Sequence, residues 1–535
     1  MADEPQVTVV DRWSNWTLLG PDNDRTAPTI RLVHAVRLWR DDVALDRTRC
    51  GMAWSRLLER LQTTGGGGLW ELEESTDSSI HELAPAPKRL FQNPDGMRLW
   101  RMSKQGLVKS GFPPQGRIAW SLCAGRGKHA RRVPVGITGI ALWASGDGLG
   151  YLVVNLELRS TATAPMPSVA DFLDALHHVR FLRSGDSIFE GEARVDPTKS
   201  VQPPARVRIG DSPLGAEWRP SDQPGVHQTS FHIKDLCMAL FQQLAGEDSD
   251  PFDSSALENG ETLRAYVFAN LRPTSPEATS DQHELLLQIA EMARSSREIA
   301  RSLRDDGPGS GISHYEYSQD AFFLFSHECT AFIVFGQASK EFWQRTMPHH
   351  VLNEYFAIQI LTMFQRHIVD EVRRLAGEHS PDDREASAEI SDTRWQQLAA
   401  RARDAKARGY FVEVSVRTNH ARFESKLREV LKVDRAYDLS MGLIDGLCES
   451  QIARVEMRRE RESERRERFW QLVAGCAVLP TVALTVMNVN MPGLTTADEG
   501  LRLSTVIGWT LGCAVVGFLI ALARDRRPSR PKDSR

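Results

Sequence analysis

Hydrophobic positions along the chain divide it into a long mixed region and a helical end. Val7–Val10 and Ile30–Leu38 read as strands, and Met52–Leu61 has helical spacing. Val133–Arg159 alternates about Gly146–Gly150 and predicts a hairpin. Ser168–Leu182 predicts an amphipathic helix capped by Ser168, with Val169, Phe172, Leu173, Leu176 and Val179 inward. The Pro-rich stretch Pro197–Pro224 suggests an internal boundary or a long excursion. Beyond it the pattern predicts a helix over Ile233–Leu244, a strand over Leu263–Ala269 and a helix over Gln282–Leu303. Ala321–Gly336 is almost continuously apolar and reads as one or two buried strands, followed by a helix from Ser339 to about Ala376. These elements predict an α+β (or α/β) cytosolic domain: a lobe over 1–205, with a second lobe or a continuation over 206–392.

Glu378–Asp392 is a polar, acidic linker, and from Thr393 the pattern turns helical. A long stalk helix region is expected over 393–468. Phe423, Val430, Tyr437 and Ile444 recur every seven residues, with Leu427, Met441, Cys448 and Val455 in a second series. Such a stripe makes a helix self-associate or pack along a neighbour, and association between stalks is the expectation drawn from it. The stripe stops at Arg458–Arg468, which holds six arginines and four glutamates. Glu462/Arg466 and Glu464/Arg468 there have helix-supporting i, i+4 spacing, so the stretch reads as a solvated helix.

Phe469–Met491 then has the length and apolarity to cross a bilayer of ~30 Å as a first transmembrane α-helix. Gln471, Ala474, Val478, Thr481, Thr485 and Asn488 share one face of it, small or polar, while Leu472, Val473, Leu479, Val482 and Val486 lie elsewhere. That stripe suits a helix that packs against copies of itself or lines a water-filled path; Thr481 and Thr485 bonding back to their own helix is the alternative. A short outer loop is expected over 492–502, a second transmembrane helix over 503–523 (apolar over Thr505–Ala523) and a basic tail over 524–535. Six basic residues lie in Arg458–Arg468 and six in the tail, against Arg502 alone in the loop. That asymmetry places both termini in the cytoplasm of a multi-pass cell-membrane protein.

Composition narrows the class. A chain of 535 residues with 25% charged and 41% hydrophobic residues has room for two or three soluble units, and a net charge of −4 argues against a nucleic-acid binder. The seven cysteines are scattered with no CxxC pair, which predicts neither a disulfide framework nor a zinc knuckle. The first residues carry no positive or apolar run that reads as a secretory signal. Gly65–Gly68 is followed by Leu69-Trp70-Glu71 rather than by Gly-Lys-Ser/Thr, so it reads as a turn and not a phosphate loop. His350 and Glu354 have the spacing of two ligands on one helix face, but nothing nearby in the sequence completes a metal site, and a surface or packing role is expected. No catalytic residue and no cofactor is expected, and the chain does not read as an enzyme.

The large α/β region, stalk, two C-terminal membrane helices, Asn-containing motif, acidic outer loop and basic tail together resemble the CorA superfamily of divalent metal ion transporters. The family's Gly-Met-Asn falls on Val486-Met487-Asn488, with valine in place of the glycine. Met491-Pro492-Gly493-Leu494 is similar to the family's residues just after that motif, and Leu479-Pro480-Thr481 to those earlier in the same helix. The resemblance covers about 393–535. It implies a homo-oligomer, a pentamer, conducting Mg²⁺ or another divalent cation as its transported ion. Asn488, Met487, Thr485 and Thr481 would line the pore, and Asp498 and Glu499 would supply charge at its outer mouth. The N-terminal region would receive a small-molecule or protein signal. The alternative is a membrane-anchored sensor or effector whose helices serve as anchor or gate.

Overall fold

A computed structural model describes residues 28–63, 69–73, 83–112, 118–124, 131–159, 166–176, 187–194, 207–222, 225–245, 265–273, 313–335, 341–378 and 411–489, with short gaps inside some of these ranges. It also describes the single positions 286, 289, 397, 400, 401, 403, 508, 512 and 515. The chain divides into two compact units, Met1–Ile444 and Asp445–Arg535. The expected strand Val7–Val10, the glycine turn and most of the helix Gln282–Leu303 lie outside the described residues.

The first unit is built on a 13-stranded sheet. Its early strands are β1 (Thr29–Arg37), β2 (Trp70–Leu72), β3 (Met97–Met102), β4 (Ile118–Ala124), β5 (Arg131–Ser145), β6 (Leu149–Leu158) and β7 (Ser187–Arg194). A small ribbon, β8 (Val207–Ile209) with β9 (Ser212–Leu214), stands apart. The sheet resumes with β10 (Arg219–Pro220), β11 (Val226–His232), β12 (Tyr266–Leu271), β13 (Ser313–Ser318), β14 (Ala321–Phe325) and β15 (Cys329–Val334). Its order is β10-β11-β7-β4-β5-β6-β1-β12-β15-β14-β13, with β3 on β5 and β2 on β3. The pairs are antiparallel except β12 with β15. Strands from both sides of residue 205 belong to this one sheet, so 206–392 continues the first region.

Alternation along the strands decides what covers each face. Ile30, Leu32, Val36 and Leu38 join the main hydrophobic cluster with helices α1 (Arg47–Thr63) and α2 (Ile233–Ala245), which supply Trp54, Leu57, Leu236 and Leu240. The opposite face carries helix α3 (Phe356–Glu378) and helix α4 (Thr418–Leu431). There Tyr151 OH lies 2.9 Å from His367 Nδ1, and Thr330 Oγ1 donates to Gln359 Oε1 at 2.9 Å. Gln359, Thr362 and Gln365 are fully buried on α3, and each has a hydrogen bond, as buried polar groups require. The helix expected from Ser339 is realised with two π-helical turns, Phe342–Thr346 and Val351–Tyr355, ahead of α3.

The expectation for the seven-residue stripe needs correction. Lys432 adopts a left-handed conformation (φ 53°), and its N–H caps α4 on Arg428 O and Glu429 O. Arg366 adds hydrogen bonds to the Leu431 and Lys432 carbonyls. A separate helix, α5, then runs Val433–Val489. Phe423, Leu427 and Val430 lie before the break and are buried inside the protomer. Phe423 sits with Phe323, Phe325 and Tyr355 at centroid distances of 5.0 Å each. The first half of the stripe therefore packs on the protein's own sheet, and it is not a surface for association between stalks.

Candidate functional site

The pore residues expected from sequence fall on the last turns of α5, whose backbone is helical through Thr481, Thr485, Met487 and Asn488 to Val489. Their side chains lie outside the described residues, as do Asp498 and Glu499. Upstream on α5, the charged stretch is exposed, and Glu464 accepts from Arg468 at 3.1 Å while Glu462 and Arg466 approach to 3.9 Å. Phe469 and Trp470, immediately beyond it, are exposed large hydrophobics. Among the described residues, no helix is long and apolar enough to cross a membrane.

The described residues that come together as a site are in the first unit. Glu354, in the second π-helical turn, is flanked by His350 one turn back and by His420 at the start of α4. Its Oε1 lies 2.7 Å from His350 Nδ1, and its Oε2 lies 3.4 Å from His420 Nε2. His420 Nδ1 in turn lies 3.2 Å from Ser415 Oγ, and the His420 ring stands edge-on to Tyr355 at 4.6 Å. Tyr317, Phe342, Met347 and Asn419 join the histidines and Glu354 around a cavity of about 530 Å³. The α4 end is pinned to β13, because Tyr315 donates to Asn419 at 3.1 Å and Asn419 donates to Tyr317 at 3.3 Å.

Burial alone would raise the Glu354 pKa, but hydrogen bonds and charge from His420 and His350 outweigh it and hold the carboxyl down at about 2. Glu354 is thus an ionised carboxylate at neutral pH, with one imidazole on each oxygen. Serine, histidine and glutamate stand in a row as in nucleophilic catalysis, with Ser415 fully buried. Among the described residues no group of histidine, cysteine and acidic side chains is arranged to hold a metal. The His350/Glu354 pair read from sequence is present as a pair. His420, which completes the row from another helix, carried no spacing signal.

A folded-state pKa near 2 against an ordinary carboxylate value of 4.5 stabilises the protein above the higher of these values. That stabilisation is lost as pH falls from about 4.5 through about 2. Glu354→Gln is therefore expected to lower stability at neutral pH, and the gap from the parent should close across that acid range. Denaturant unfolding of both proteins at pH 7 and at pH 3 checks this; a gap independent of pH would refute it.

No family model matches the chain, and no curated protein sequence matches it. The solved structure of the complete CorA magnesium transporter from Methanocaldococcus jannaschii is similar to 49% of this chain and 90% of its own, with 12% identity and a TM-score of 0.18. At that TM-score the likeness carries no argument about this chain's fold or activity.

Proposed function

We propose that the chain is a CorA-like homo-oligomeric cell-membrane channel or transporter for divalent cations, Mg²⁺ first among them. The observation that carries this reading is α5 itself. One helix extends from Val433 through a solvated, arginine-rich stretch into the apolar segment and ends at Met487-Asn488-Val489. Exposed Phe469 and Trp470 stand where the charged stretch gives way to apolar sequence, the position that interfacial aromatic residues favour. In this reading Asn488 presents a neutral oxygen to a hydrated ion, which suits Mg²⁺ because it gives up its waters reluctantly. Met487, Thr485 and Thr481 continue the pore lining inward. Asp498 and Glu499 concentrate cations at the outer mouth, and the assembly is a pentamer.

The second reading, a membrane-anchored sensor, is favoured by the cavity at Glu354, which has room for a small-molecule signal. The two readings combine as a channel gated by a ligand of the first unit. Both require two spans with both termini cytoplasmic. A cysteine introduced at Thr496 is expected to react with an impermeant thiol reagent in intact cells, and one at Ser534 is not. Labelling at Ser534 would remove the topology and the channel with it.

A further inference from the structure

A second cavity lies on the same face of the sheet as α3. Register brings Arg31 of β1 beside Asn155 of β6 and Phe268 of β12. Asn155 faces Gly139 of β5, and a β-carbon there would stand 2.9 Å from Asn155 Nδ2, so the glycine leaves room for the amide to lie across the strand. Two pairs further along, Arg101 of β3 faces the small Ala141 of β5, which faces Val153 of β6. The small side chain at 141 borders a cavity of about 50 Å³ under the π-helical turn and the start of α3, lined also by Arg31, Arg101, Trp143, Asn155, Asn353 and Phe356.

Charge in this cavity is unbalanced. Arg31 lays its guanidinium 4.2 Å from the centre of the Phe356 ring, and its Nε is buried with no hydrogen-bond partner among the described residues. Asn155 Oδ1 is likewise buried and unpartnered; exchanging the amide's oxygen and nitrogen would turn a donor to that point. The nearby carboxylate is Glu73, which pairs with Arg101 Nε. Burial, then the charge of Arg101, pushes the Arg31 pKa down to about 9, and Glu73 only partly offsets them. Among the described residues Glu73 is committed to Arg101, and Arg31 has no carboxylate of its own. A buried guanidinium with an open N–H is stabilised by an anion that takes its hydrogen bonds in bidentate geometry.

We propose that this cavity binds a small oxyanion, a free phosphate, sulfate or carboxylate, held between Arg31 and Arg101 and closed over by Asn353 and Phe356. The cavity volume is of the order of a single small oxyanion. The site is independent of the membrane segments and of the cavity at Glu354.

Isothermal titration of the full-length protein in detergent with sodium phosphate, sulfate or acetate, each against chloride at equal ionic strength, tests the assignment. At least one oxyanion is expected to bind saturably, one per protomer. Arg31→Gln should weaken it by about tenfold or more, through loss of a charge-assisted pair, whereas Lys104→Gln, outside the cavity, should leave it unchanged. Far-UV circular dichroism identifies a misfolded Arg31 variant, in which case Arg101→Gln, whose side chain is half exposed, carries the same expectation. No saturable binding of any of the three anions by the parent, or parental affinity in a folded variant, would overturn the site.

Discussion

Phe423→Ala is expected to destabilise the first unit by roughly 3–5 kcal/mol, the cost of truncating a well-packed aromatic side chain to alanine. Phe423 is completely buried, and its ring meets Phe323 and Phe325 from β14 and Tyr355 from the π-helical turn. Removing it opens a void at the junction of the sheet, the helix ahead of α3, and α4. The neighbours are themselves bound up: the Tyr355 ring meets His420, and Phe323 lies 4.7 Å from Phe332, so little collapse into the void is available. Denaturant unfolding of the purified protein measures the loss. If Phe423 instead served association between stalks, the variant would keep its unfolding midpoint and lose oligomer mass in native mass spectrometry. That outcome would contradict the packing described here.

Strand β1, the β5–β6 hairpin, α1, α2 and the β14–β15 pair are legible in local pattern, because their apolar positions alternate, recur at helical spacing or, in strands buried on both faces, run almost unbroken. The seven-residue recurrence through Phe423 and Val430 is legible too, but periodicity says that a face is buried and not which surface buries it. The break at Lys432 has no glycine or asparagine to announce it; the left-handed turn rests on a lysine held in place by carbonyl contacts from Arg366. The site at Glu354 is half legible. His350 and Glu354 are neighbours along one helix, whereas His420 and Ser415 reach them only because α4 folds back over the sheet. Arg31 has a signal that periodicity does not weigh: a lone guanidinium inside the apolar run Thr29–Val33.

Asn488→Ala is expected to have the larger functional effect. On the face shared with Thr481 and Thr485, Asn488 is the residue that combines an amide oxygen with a place in the last turn of α5. A pore that coordinates a hydrated divalent cation through a ring of such amides loses its ligands when they become methyl groups. Val482→Leu, on a different face, changes volume without touching that ring and should be tolerated. The decisive measurement is Mg²⁺ influx into proteoliposomes holding the parent, Asn488→Ala or Val482→Leu, with oligomer size checked for each. Flux is expected through the parent and Val482→Leu, and lost or altered flux through an intact Asn488→Ala oligomer. Undiminished flux through Asn488→Ala would contradict this, as would a parent that conducts no divalent cation.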